Sequence, residues 1–154
     1  MSPDELLDLI KVLDPRQEPG RLTVIHRFGR ARVAADLPPL VDAVRRAGRT
    51  VLWCCDPMHG NTVTAASGRK TRRFGDILAE LEAAFDIHAA AGGFLGGVHF
   101  ELSGDMITEC LGGARDLSED DLERAYETEV DPRLNYEQAL EMSLLIARRL
   151  RRQT

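Results

Sequence analysis

Three short apolar runs, LTVIH at Leu22–His26, VLWCC at Val51–Cys55 and GVHFEL at Gly97–Leu102, are separated by stretches of helical periodicity. LTVIH is a short β-branched run and the other two are short and mostly apolar, so all three read as strands. The intervening helices, predicted over 37–47 and 74–91, are long enough to carry the chain back across a sheet, so consecutive strands run parallel. Apolar residues at both parities of the first two runs fit a sheet covered by helices. The expected fold class is α/β, with about three parallel strands flanked by helices.

Further helices are predicted at 3–13, 118–126 and 136–151. The first has a capping box: Ser2 caps, Pro3 suits the first helical position, and Glu5 stands three residues on. Leu6, Leu7, Ile10 and Leu13 form its apolar stripe. Ser118 and Asp121 repeat the capping pattern. Leu140, Leu144, Ala147 and Leu150 share one face of the last helix. Residues 56–67 read as loop, and 107–111 fit neither helix nor strand decisively.

The 154 residues suffice for a single domain over 1–154. A net charge of −5 argues against a general nucleic-acid binder. No apolar run approaches the ~18–20 residues that span a bilayer, and the acidic, amphipathic start does not resemble a secretory signal. A cytoplasmic location is therefore expected. Cys54, Cys55 and Cys110 follow no disulfide or metal-ligand spacing and read as free thiols.

In parallel sheets, functional groups collect at the carboxyl ends of strands. Here those ends supply His26 and Arg27, then Asp56 to His59, then His99 and Glu101. His59 is either a ligand for a divalent metal or a structural histidine. Glu101 sits in an apolar run and needs a cation or a metal as partner. Asp131 either joins them or caps the turn before Tyr136. One imidazole and two carboxylates would suit manganese, cobalt or iron(II). Arg27, Lys70 and Arg72 are the candidate anion-binding residues. The RKTRR cluster at Arg69–Arg73 is either a phosphate clamp or a solvated helix start. Cations there oppose the dipole of the helix that follows, unless an anion compensates.

Five blocks stand in fixed order: GRLTVIHRFG from Gly20, CDPMHGNT from Cys55, GRKTRRF from Gly68, GGVHFELSGDMITECLGG from Gly96 and YETEVDPRLN from Tyr126. Together, over roughly Pro3 to Leu150, they resemble the C-terminal part of class II 3-deoxy-D-arabino-heptulosonate 7-phosphate (DAHP) synthases. The resemblance implies a partial (β/α) TIM-barrel-like unit. It implies an aldol-type condensation of phosphoenolpyruvate with erythrose 4-phosphate or a related sugar phosphate, assisted by a divalent metal, Mn2+ or Co2+. In that chemistry the metal acts as a Lewis acid on the aldehyde, the enol carbon attacks, water adds and phosphate leaves. It also implies His59, Glu101 and Asp131 as metal ligands, and Arg27, Lys70 and Arg72 as catalytic and substrate-binding residues. The family's cysteine ligand belongs to an earlier segment with no counterpart here. A whole barrel takes about 200–250 residues, so this chain is expected to be a truncated homologue. Bare sheet edges would favour a homo-oligomer, or a partner that supplies the missing strands. A non-catalytic module that binds metal or phosphorylated ligands is the alternative reading.

Overall fold

The computed structural model describes residues 1–151. Four helices, α1 (Pro3–Leu13), α2 (Val33–Arg46), α3 (Phe74–Ala90) and α4 (Tyr136–Arg151), flank a parallel sheet of β1 (Thr23–His26), β2 (Leu52–Cys55) and β5 (Gly97–Val98). A separate antiparallel hairpin pairs β3 (Thr62–Thr64) with β4 (Lys70–Arg72). The expected α/β class with three parallel strands is the observed one. Among the described residues the sheet is open, a partial TIM-barrel-like unit rather than a closed barrel.

β2 is central. Thr23 to His26 pair in register with Leu52 to Cys55, and Cys54 and Cys55 pair with Gly97 and Val98. A parallel bridge between Leu102 and Leu134 begins a fourth position beyond β5. The main core lies between sheet and helices, where Trp53 and Cys55 meet Leu37, Val41, Ile77, Leu81 and Phe85. On the opposite face Ile25 and Leu52 are exposed.

The α1 capping box forms as its sequence predicts: Ser2 N–H donates to Glu5 and Glu5 N–H to the Ser2 hydroxyl. Several other expectations need correction. α2 begins at Val33, four residues before the proline-marked start, and carries Pro38 and Pro39 inside it. Those prolines remove donors to the Ala34 and Ala35 carbonyls, but both alanines are exposed and water can replace the lost bonds. The third strand stops at Val98, so His99 and Glu101 lie beyond it. The predicted loop contains β3, and Lys70–Arg72 is a strand rather than a helix start.

The predicted helix at 118–126 is one 3₁₀ turn, Glu119–Asp121. Its cap forms, with Asp121 accepting from Ser118 N–H and hydroxyl. The helix does not propagate because Thr108 exchanges hydrogen bonds with Ala125 instead. On α4 the predicted leucine face points to solvent, with Leu140 48% and Leu144 51% exposed. The buried side carries Gln138 and Met142, and Gln138 donates to the Cys110 and Gly112 carbonyls. That polar anchor outweighs the leucines in orienting the helix.

Candidate metal centre

β2 runs into the loop Asp56–Asn61, which the buried Asp56 side chain organises. Its Oδ1 accepts from the backbone N–H of Met58 (3.0 Å) and His59 (3.2 Å). Its Oδ2 lies 2.7 Å from His59 Nδ1 and 3.3 Å from Arg27 Nε. A carboxylate at Nδ1 holds the proton on that nitrogen and leaves the Nε2 lone pair free. Nε2 faces Glu101 Oε1 at 3.5 Å.

A ligand atom from each of His59, Glu101 and Asp131 lies within 4.8 Å of the others, and all three side chains are partly exposed. Thus the structure brings together the three residues named from sequence. The donor set of one imidazole and two carboxylates, with the imidazole already oriented, fits a divalent cation.

The three named cations surround this group. Arg72, fully buried, donates through Nη1 to Glu101 Oε2 (2.5 Å) and to the Pro132 carbonyl, and through Nε to Thr62 Oγ1 (2.9 Å). Its Nη2 has no hydrogen-bond partner among the described residues. Lys70 Nζ, exposed, lies 3.1 Å from Asp131 Oδ1. That hydrogen bond is the largest single cause holding the Asp131 carboxyl below its ordinary pKa, and the charges of Lys70 and Arg72 act in the same direction. Arg27 is exposed beside Asp56. Arg69, by contrast, leaves the group: it pairs with Glu123 at 2.8 Å and lies over the Tyr126 ring. The RKTRR segment therefore spreads the charges of Arg69, Lys70 and Arg72 over three acids, Glu123, Asp131 and Glu101.

Two buried carboxylates fasten the loops that carry these residues. Glu80 of α3 accepts from Phe28 and Gly29 N–H and from Asn61 Nδ2, joining the segment after Arg27 to the segment after His59. Burial raises its pKa, against those hydrogen bonds. At the same junction Gly29 (φ +79°) and Gly60 touch: a Cβ on Gly60 would lie 2.4 Å from Gly29 N. Glu109 accepts from Glu127, Thr128 and Arg133 backbone N–H and from the Arg133 guanidinium, shaping the loop that bears Asp131. Burial pushes the Glu109 carboxyl up, but these bonds outweigh it and the net shift is downward.

Asp56, Asn61, Glu80 and Glu109 were missed as site-builders from sequence. A signal existed for Glu80, an acid three residues after Ile77 and four before Ala84 on the buried face of α3. Asp56 directly follows an apolar strand. Nothing comparable marks Glu109 or Asn61.

A partial (β/α) unit with a carboxylate-rich, histidine-centred site at its strand ends thus carries the motifs of one enzyme family. The chain belongs to the class-II DAHP synthetase family, whose sequence profile matches residues 1–147. It is 47% identical over 150 residues to the phospho-2-dehydro-3-deoxyheptonate aldolase AroG of Mycolicibacterium smegmatis, a match covering 97% of this chain and 32% of that protein. It is 50% identical over 150 residues to the phospho-2-dehydro-3-deoxyheptonate aldolase of Streptomyces coelicolor, covering 97% and 33%. The chain spans about a third of the length of the curated relatives it matches. No helix among the described residues is long and apolar enough to cross a membrane.

Proposed function

We propose that this chain, over 1–154, is equivalent to the C-terminal part of a class II DAHP synthase barrel and carries part of an aldol-type active site. The observation that carries this reading is the convergence of His59, Glu101 and Asp131 within 4.8 Å, ringed by Arg27, Lys70 and Arg72. The substrates are phosphoenolpyruvate and erythrose 4-phosphate or a related sugar phosphate. The cofactor is a divalent metal, Mn2+ or Co2+, and the location is cytoplasmic.

His59 Nε2 and the Glu101 and Asp131 carboxylates hold the metal, which supplies Lewis-acid polarisation of a carbonyl oxygen. Asp56 keeps the His59 proton on Nδ1. Arg27 and Lys70, both exposed, offer their cations to the carboxylate and phosphate of the substrates. Arg72 acts from beneath, holding Glu101 in place. The open sheet edges are covered by a second copy or by a partner that supplies the missing strands.

The deciding assay measures phosphate release from phosphoenolpyruvate in the presence of erythrose 4-phosphate and Mn2+ or Co2+, with the chain alone and with candidate partner chains. Turnover abolished by His59→Ala supports the synthase. A second reading is a non-catalytic module binding metal or phosphorylated ligand. Calorimetric binding of Mn2+ and phosphoenolpyruvate without turnover in any combination would establish that reading instead.

A further inference from the structure

A second group of metal-type donors lies one layer deeper, between the sheet and α3. One ligand atom each from His26, Cys55 and Glu80 lies within 4.8 Å of the others, and all three residues are buried. They come from three elements: the last residue of β1, the last residue of β2 and the middle of α3. Neither ring nitrogen of His26 has a hydrogen-bond partner among the described residues, although His26 is only 4% exposed. His88, eight residues beyond Glu80 on the buried face of α3, lies near His26 with ring centroids 5.7 Å apart and planes tilted by 35°, and its Nε2 is also buried without a partner among the described residues. Buried polar atoms left without partners are costly, and several converging on one place call for an occupant.

We infer that His26, Cys55 and Glu80, with the His88 ring beside them, form a buried binding site for a borderline divalent cation of the zinc type.

The chemistry of the donors selects that class. A thiol and neutral imidazoles suit zinc or cobalt, whereas the oxygen-rich His59 group suits manganese. Both histidines are kept neutral by burial, so their lone pairs are available without loss of a proton. Glu80 Oε1 accepts two backbone hydrogen bonds, but Oε2 accepts only the one from Asn61 and keeps a lone pair. Cys55 is a thiol raised by burial. Binding would replace its proton, so that each Zn2+ forms one Zn–S bond and releases one H+ to solvent. Such an ion would join β1, β2 and α3. Through Glu80 it would stiffen the loops that carry Arg27 and His59, which makes the site structural rather than catalytic.

The test uses the full chain, stripped with chelator and titrated with Co2+. A thiolate-to-cobalt charge-transfer absorption in the near ultraviolet is expected. It should persist in His59→Ala, which removes the other group, and in Cys54→Ser and Cys110→Ser. It should vanish in Cys55→Ser, whose near-isosteric side chain preserves packing, as circular dichroism would check. Elemental analysis of Zn2+-loaded His59→Ala should give one zinc per chain. Absence of the band, its survival in Cys55→Ser, or zinc-free His59→Ala would each overturn the site. Because the His59→Ala background lacks the proposed catalytic centre, failure here is distinct from failure of the synthase reading.

Discussion

Asp56→Asn isolates the role of a single oxygen. The side-chain volume is unchanged, and the carbonyl can stay at the Oδ1 position, where it accepts from Met58 and His59 N–H. The amide nitrogen then replaces Oδ2, 2.7 Å from His59 Nδ1 and 3.3 Å from Arg27 Nε. Facing a donor, His59 must accept at Nδ1 and carry its proton on Nε2, where it points at Glu101. The lone pair a metal needs is then gone. Turning the amide over restores the acceptor but faces two backbone N–H groups with a donor. Loss of such an orienting partner typically weakens metal binding by about 10–100-fold, or about 1.4–2.7 kcal/mol. Calorimetric titration with Mn2+ measures it, alongside thermal unfolding of both proteins and His59→Ala as the limit of lost binding. Wild-type Mn2+ affinity in a folded Asp56→Asn protein would refute the tautomer argument.

Other parts of the site give equally direct expectations. Gly60→Ala forces a Cβ to within 2.4 Å of Gly29 N, so it should destabilise by about 2–4 kcal/mol; a urea midpoint equal to wild type would show that the loops separate freely. Arg72→Met leaves Glu101 without its cation and the Pro132 carbonyl without its donor; because Glu101 is partly exposed, about 2–3 kcal/mol is expected rather than the full cost of breaking a buried pair, and an unchanged chemical-denaturation curve would contradict the bracing role. Burial holds His26 and His88 at a pKa of about 4, against 6.5 when exposed. The unfolded chain therefore takes up these protons first. Their contribution is complete above pH 6.5 and is lost as pH falls towards about 4, up to about 3 kcal/mol for each residue. Urea midpoints that stay flat across that window would rule this out.

The parallel layer was legible because periodicity and short apolar runs depend on burial, which sequence records residue by residue. The hairpin was not, since TVT and KTR are too short and too polar to signal strands, and their pairing is set by contacts elsewhere. Arg72 is buried at the end of KTR because Glu101 waits for it 29 residues later. The predicted 118–126 helix failed for the same kind of reason: its local cap is correct, but Thr108 captures Ala125. On α4, a leucine stripe and a glutamine competed for the interior. The glutamine won through two backbone carbonyls that no local pattern reveals. The three ligand-type residues could be named because they sit in distinctive motifs, and the structure adds what motifs do not carry, the carboxylates that aim them.

The charges around His59 also imply how metal and anion depend on one another. Arg27, Lys70 and Arg72 stand against Asp56, Glu101 and Asp131, each cation within 3.3 Å of a carboxylate oxygen. These three positive and three negative side chains balance in charge. A divalent cation at His59, Glu101 and Asp131 makes it +2 and competes with Lys70 for Asp131. Lys70 is exposed and tethered by that one ion pair, so it is the cation free to turn towards an incoming anion; Arg72, buried and triply bonded, is not. Each ligand therefore favours the other, and linkage requires the same factor in both directions, about 5–150-fold for couplings of ordinary size. Calorimetry of phosphoenolpyruvate with and without Mn2+ reads the factor, and Lys70→Ala should reduce it while leaving Mn2+ affinity alone unchanged or higher. Phosphoenolpyruvate affinity indifferent to Mn2+ would mean that the carboxylates keep their cations and that the two ligands are not coupled through Lys70.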